Sequence, residues 1–130
     1  MSFPRLITNA CLIGTLLAGC IATPEGIAKQ NRKRLLNLSL GMSPAEMLAV
    51  MGDAPTNLAG ASNPMGKEMF RSKGRMIEIY YFYSIKRRAD GVVSDDELTP
   101  VIFVDGKLEG VGDAYFNEAE IKYDIEIRNR

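Results

Sequence analysis

The sequence predicts an α+β fold: two N-terminal helices packed on an antiparallel sheet of about four strands, a sandwich of two layers. Three observations predict it. Residues 40–55, LGMSPAEMLAVMGDAP, carry the start and stop signals of a short helix. Residues 75–85 form a run rich in isoleucine and aromatic side chains, as a strand requires. Asp105-Gly106 stands between two apolar runs, and a tight hairpin favours that dipeptide because both central turn residues take positive φ. Helices come first and strands after, with no linker long enough for a second domain, so the order is α+β rather than alternating.

The elements follow in chain order. Thr23-Pro24-Glu25 reads as N-cap, N1 proline and an acidic first turn. Ile27, Ala28, Asn31, Leu35 and Leu38 then share one face of a first helix to about residue 38, and Gly26 favours a late start. In the second helix, 44–51, Ser43 caps and Glu46 at N3 completes a capping box, with Met42 and Met47 placed as a hydrophobic staple. Met47, Leu48 and Met51 form its apolar stripe. Gly52 suits a left-handed exit, and Pro55 prevents continuation. Residues 56–66 are turn-rich. A short strand at 67–71, a turn at Lys73-Gly74 and a strong strand at 75–85 follow. In the last, Ile77, Ile79, Tyr81 and Tyr83 take one face and Met76, Tyr80 and Phe82 the other. Strands at 99–104 and 107–112 flank Asp105-Gly106, and Tyr115-Phe116 is placed to close a sheet edge. Ile121, Tyr123, Ile125 and Ile127 alternate with charged residues, which predicts a half-buried strand near the C-terminus. The two helices cover one sheet face and leave part of the other for solvent or a partner.

The first nineteen residues read as a targeting segment. Arg5 supplies a positive start, and residues 6–17 are mostly apolar but shorter than the ~20 residues a membrane span needs. Leu17-Ala18-Gly19-Cys20 resembles the lipobox of bacterial lipoproteins. That resemblance implies cleavage after Gly19, a diacylglyceryl thioether on the Cys20 sulfur and acylation of the freed amine. Several acyl chains, at ~0.8 kcal/mol per buried methylene, anchor far more firmly than one. The expected domains are therefore a leader, 1–19, and one mature domain, 20–130, of which 20–23 is a short anchor segment. By analogy with enterobacterial sorting, Ile21 after the acylated cysteine favours the outer membrane, facing the periplasm. Cys11 leaves with the leader, so the mature chain has no free thiol.

Sixteen Lys+Arg balance sixteen Asp+Glu, and histidine is absent. A balanced chain is not expected to bind nucleic acid, which calls for a basic excess. Without histidine or a free thiol, the usual general base and thiol nucleophile are missing, so no enzyme activity, catalytic residue or cofactor is expected. Asp95-Asp96-Glu97 lacks the alternating order of a calcium loop, and no metal site is expected.

A lipobox followed by Leu38-Ser39-Leu40-Gly41-Met42-Ser43, a helix at 44–51 and Asp53-Ala54-Pro55 after Gly52 resembles the SmpA/OmlA group of small outer-membrane lipoproteins, the BamE-like group. The proline stands three residues past Gly52, where that group places it two past. Residues 98–116, LTPVIFVDGKLEGVGDAYF, look more like a poorly characterised sister family. The resemblance covers most of the mature chain through structural motifs. It implies a binding module held to the membrane by acyl chains on Cys20, with an envelope protein as partner. The expected role is a non-catalytic adaptor that stabilises an envelope complex, in β-barrel assembly or envelope integrity. The alternatives are a module binding anionic lipid or a small ligand, and an inhibitor of a periplasmic enzyme. Candidate contact residues are Arg32, Lys33 and Arg34 on the first helix, Lys86, Arg87 and Arg88 in the loop after the long strand, and Tyr80 and Phe82, should that pair form an exposed aromatic patch. Each set has a plainer reading: solvated charges for the first two, sheet core for the aromatics.

Overall fold

The computed structural model describes residues 23–52, 62–85, 87–88, 90 and 92–125. Helix α1 spans Pro24–Leu35 and α2 Pro44–Met51; strands β1, Gly66–Ser72, β2, Arg75–Tyr83, β3, Leu98–Val104, and β4, Lys107–Val111, follow; helix α3, Asp113–Tyr123, is the last described element. The strands form one antiparallel sheet in the order β1-β2-β3-β4. The fold is α+β, as the sequence predicts, but its helices are not all N-terminal.

Local chemistry sets the first two helices. The Thr23 hydroxyl accepts from the Gly26 N–H at 3.0 Å, and α1 begins at Pro24 in spite of Gly26. In α2 the capping box is complete: the Ser43 N–H donates to Glu46 Oε2 at 2.7 Å and the Glu46 N–H to Ser43 Oγ at 3.2 Å. Met47 and Met51 are buried, whereas Leu48, expected in the stripe, is 39% exposed at its edge. Gly52 leaves α2 at φ 61 and ψ 179, a positive φ paired with an extended ψ rather than a left-handed turn. Pro55 and the rest of the 53–61 segment lie outside the described residues.

The hairpin forms as its dipeptide demands, with φ of 51 at Asp105 and 78 at Gly106. Asp105 also ties the turn to β2: its Oδ1 accepts from the Met76 N–H at 3.0 Å and its Oδ2 from Arg75 Nη1 at 2.7 Å. The outer edge of β4 is not bare, because Gly41 donates to the Leu108 carbonyl and Leu108 to the Met42 carbonyl, both at 2.8 Å.

The C-terminal segment departs from expectation. Residues 113–123 are helical, and the alternation at 121–127 does not make a strand in the described part; Ile127 lies outside it. The burial repeat explains why: Phe116, Ala119 and Tyr123 are buried at helical spacing, while Ile121 is 83% exposed. The intervening Asn-Glu-Ala-Glu contains good helix formers, and Asp124, at φ 53, ends the helix in a left-handed conformation that Asp tolerates. Ser72 Oγ donates to the Tyr123 carbonyl and Lys73 Nζ to that of Lys122, so the β1–β2 turn satisfies the last carbonyls of α3.

This helix changes the layering. On one sheet face α2 packs Met47 and Met51 against Tyr80, Phe82, Val101, Phe103 and Leu108, and Tyr80 meets Phe103 edge to face at 5.5 Å. On the other, α3 packs Phe116, Ala119 and Tyr123 against Ile77, Ile79, Tyr81 and Ile102. The second face, expected to be left in part for solvent or a partner, therefore carries α3, and Phe116 sits beneath the sheet rather than at its edge. Fully burying side chains such as Phe82 and Phe103 stabilises the fold by about 2–3 kcal/mol each. Helix α1 crosses the end of the sheet, setting Ile27 and Ala28 on Tyr83.

Candidate functional site

The two ends of the sheet carry different chemistry. At the end where β2 finishes, α1 is fixed by a buried amide pair. Asn31, 1% exposed, donates from Nδ2 to the Tyr83 carbonyl at 2.7 Å and to Asn63 Oδ1 at 3.0 Å, and Asn63 Nδ2 returns a bond to Asn31 Oδ1 at 2.9 Å. Asn63 Nδ2 also reaches the Gly52 carbonyl at 3.2 Å, so one pair of amides joins α1, the end of α2 and the end of β2. Arg34 Nη1 donates to the Met51 carbonyl and Arg32 Nη1 to that of Ser84. Two of the three cations expected to face a partner thus cap backbone carbonyls, and Lys33, exposed, makes no such contact.

The segment after β2 is organised by Glu97, which closes the single 3-10 turn Asp95–Glu97 and is 1% exposed. Its carboxylate accepts the backbone N–H groups of Arg87 at 2.6 Å, Arg88 at 3.1 Å and Ser94 at 3.2 Å. The Arg87 bond, reinforced by those of Arg88 and Ser94, outweighs burial and holds this carboxyl below its ordinary range. Burial, then the charge of Glu97, pushes the Tyr83 phenol up. Arg87 also lays its Nε on the Asp96 carbonyl at 2.9 Å, and Arg88 is exposed. Arg32, Arg87 and Arg88 are therefore linked through Ser84 and Glu97, while Lys86 lies outside the described residues. Tyr80 and Phe82 do not join them. They are 5% and 0% exposed beneath α2, which corrects their reading as an exposed patch: α2 sits on the face they occupy.

The opposite end holds a groove of about 640 Å³ lined by Arg75, Asp105, Lys107, Glu109, Lys122 and Tyr123 over Val104 and Leu108. The nine residues of β2 separate the two ends by about 26 Å. Glu109 is the hub of the groove. Burial raises its carboxyl, but hydrogen bonds from Tyr123 at 2.7 Å and Lys122 at 2.9 Å prevail and hold it below its ordinary value. The Tyr115 hydroxyl is buried within the field of Glu109 but makes no bond of acceptable geometry, and its pKa is pushed up to about 12 by burial and that charge. Arg75 and Asp105 pair at 2.7 Å. The groove offers paired charges and a tyrosine for recognition. Among the described residues, no group of three His, Cys, Asp or Glu is placed to hold a metal ion, and no helix is long and apolar enough to cross a membrane.

Sequence reasoning placed Asn31 on the buried face of α1 but not in a network, and it missed both carboxylate hubs. For Glu97 a signal existed, since Ser94-x-x-Glu97 is itself a capping-box spacing. For Glu109 there is none, because its partners Lys122 and Tyr123 fall in a stretch whose alternation predicts a strand.

A family described as "Protein of unknown function (DUF3192)" matches residues 24–118. The chain belongs to that family. The DUF3192 match opens on Pro24, the first residue of α1, and closes within α3, so it spans both hubs described above and leaves residues 1–23, Cys20 among them, outside. No curated protein and no solved structure matches the chain.

Proposed function

We propose that this DUF3192 protein is a non-catalytic lipoprotein, held by acyl chains on Cys20 to the periplasmic face of the outer membrane, whose helix-and-sheet module stabilises an envelope complex. The resemblance to the SmpA/OmlA group favours β-barrel assembly or envelope integrity as the process. One observation carries the reading: Leu17-Ala18-Gly19-Cys20 ends three positions before the N-cap Thr23, so an anchor on Cys20 would stand directly before helix α1. Two others support it. The chain has no histidine, and the carboxylates of buried Glu97 and half-buried Glu109 are engaged in hydrogen bonds that hold the fold together. The anchored end is packed with structural contacts, and the charged groove about 26 Å away is the surface best placed to meet a partner.

Crosslinking in native membranes followed by affinity capture tests the proposal. Enrichment of one or a few envelope proteins is the expected result, reduced by Lys107→Glu in the groove. Capture of the monomer alone contradicts it.

A further inference from the structure

Helix α1 turns Ile27, Ala28, Asn31 and Leu35 toward the protein. Its opposite side carries Lys29, Lys33 and Leu36, which at 3.6 residues per turn fall within about 60° of arc. Leu36 is 85% exposed, and the chain then leads to Leu40, 76% exposed. Two leucines this open, four residues apart and next to two lysines, form an amphipathic flank with no cover among the described residues. Arg32 and Arg34 are not part of it, since they cap the Ser84 and Met51 carbonyls. Lys29 and Lys33 form no ion pair with any described residue, and Glu25 is the one acid on that side of the helix.

We infer that this flank lies on the lipid bilayer, with Leu36 and Leu40 at the boundary of headgroups and acyl chains and Lys29 and Lys33 among anionic headgroups. The inference rests on the Cys20 anchor. Two residues, Ile21 and Ala22, lie between Cys20 and Thr23, and three Cα-to-Cα steps reach at most about 11 Å. The N-cap Thr23 is thereby held within about 11 Å of the Cys20 Cα, and the helix either stands off the surface or lies along it. The chemistry of its outer side favours lying. Cations match the phosphate layer and leucines the edge of the hydrocarbon, the division that surface-bound helices use. A bilayer, rather than a protein, is the occupant because the anchor brings it within reach of this helix at every moment. In this pose the groove near Arg75 and Lys122 faces away from the membrane, at the far end of β2.

The mature acylated chain has no free thiol, so a single introduced cysteine takes a nitroxide label alone. Leu36→Cys, Leu40→Cys and, as a control, Ile121→Cys on α3 are labelled and reconstituted in vesicles of phosphatidylethanolamine and phosphatidylglycerol. Collisions with oxygen, which concentrates in lipid, are compared with collisions with a water-soluble nickel chelate. The expected result is a several-fold oxygen preference at 36 and 40 over 121. Lys29→Gln with Lys33→Gln should shift the balance away from lying by roughly fivefold per lysine. Labels at 36 and 40 as open to nickel as the one at 121, on protein whose mass shows acylated Cys20, overturn the inference and leave the anchor standing. An unmodified Cys20 removes the anchor and the inference together. Labels open to nickel in vesicles that hold no other protein but shielded in native membranes assign the flank to a protein and also overturn it.

Discussion

Replacing Asn31 with alanine should be the most damaging single truncation of a polar side chain on α1. The change removes three hydrogen bonds: to the Tyr83 carbonyl at 2.7 Å, to Asn63 Oδ1 at 3.0 Å and from Asn63 Nδ2 at 2.9 Å. A typical intramolecular hydrogen bond contributes about 1 kcal/mol net, and a buried acceptor left unpaired costs at least as much again. Asn31 is 1% exposed and Tyr83 3%, so water cannot readily take over. The total is about 4 kcal/mol. With a urea dependence of about 1.5 kcal/mol/M, the unfolding midpoint should fall by nearly 3 M at unchanged slope. Far-ultraviolet circular dichroism in urea reads this directly. Asn63→Ala loses the same reciprocal pair, so the double variant should cost about 1–2 kcal/mol less than the sum of the singles. A loss below about 1 kcal/mol for Asn31→Ala, or strict additivity with Asn63→Ala, refutes the claim that this amide pair joins α1 to the sheet.

Three further outcomes follow from the same geometry. Because the folded protein holds the Glu97 carboxyl below its ordinary value, its contribution is present above the unfolded-state value of about 4.3 and is lost as pH falls through the lower folded value; the urea midpoint should drop over that interval, and Glu97→Gln should lower the neutral-pH midpoint while flattening the acid limb. A Cβ on Gly110 would stand 2.1 Å from the Tyr115 ring, so Gly110→Ala should cost about 2 kcal/mol in the same assay, and Tyr115→Ala should relieve much of that loss when combined with it. Cys20→Ser should leave an uncleaved precursor that incorporates no labelled palmitate, checked by gel mobility and radiography of membranes.

Where short-range chemistry decides a structure, the sequence carried it plainly. The capping box at Ser43 and Glu46 and the positive-φ pair at Asp105-Gly106 each need a particular residue at a particular offset, and each appears where that offset puts it. The alternation in β2 was also legible, but which face is covered was not: Tyr80 and Phe82 are core because α2, more than twenty residues earlier in the chain, folds over them. Residues 121–125 satisfied a strand period by coincidence. Tertiary packing chose the helical spacing of Phe116, Ala119 and Tyr123 instead, and with that choice came the cover on the second sheet face. The cations on α1 show the same limit. Arg32, Lys33 and Arg34 are adjacent in sequence, yet helical geometry turns Arg32 and Arg34 to backbone carbonyls and leaves Lys33 outside with Lys29 and Leu36.

The account depends most on the chemistry of one sulfur atom, and the intact mass of the protein purified from the membranes of its natural host tests it most directly. The predicted species begins at Cys20 and carries a diacylglyceryl group together with an amide-linked acyl chain. A chain that begins elsewhere, or that shows an unmodified thiol at Cys20, contradicts it.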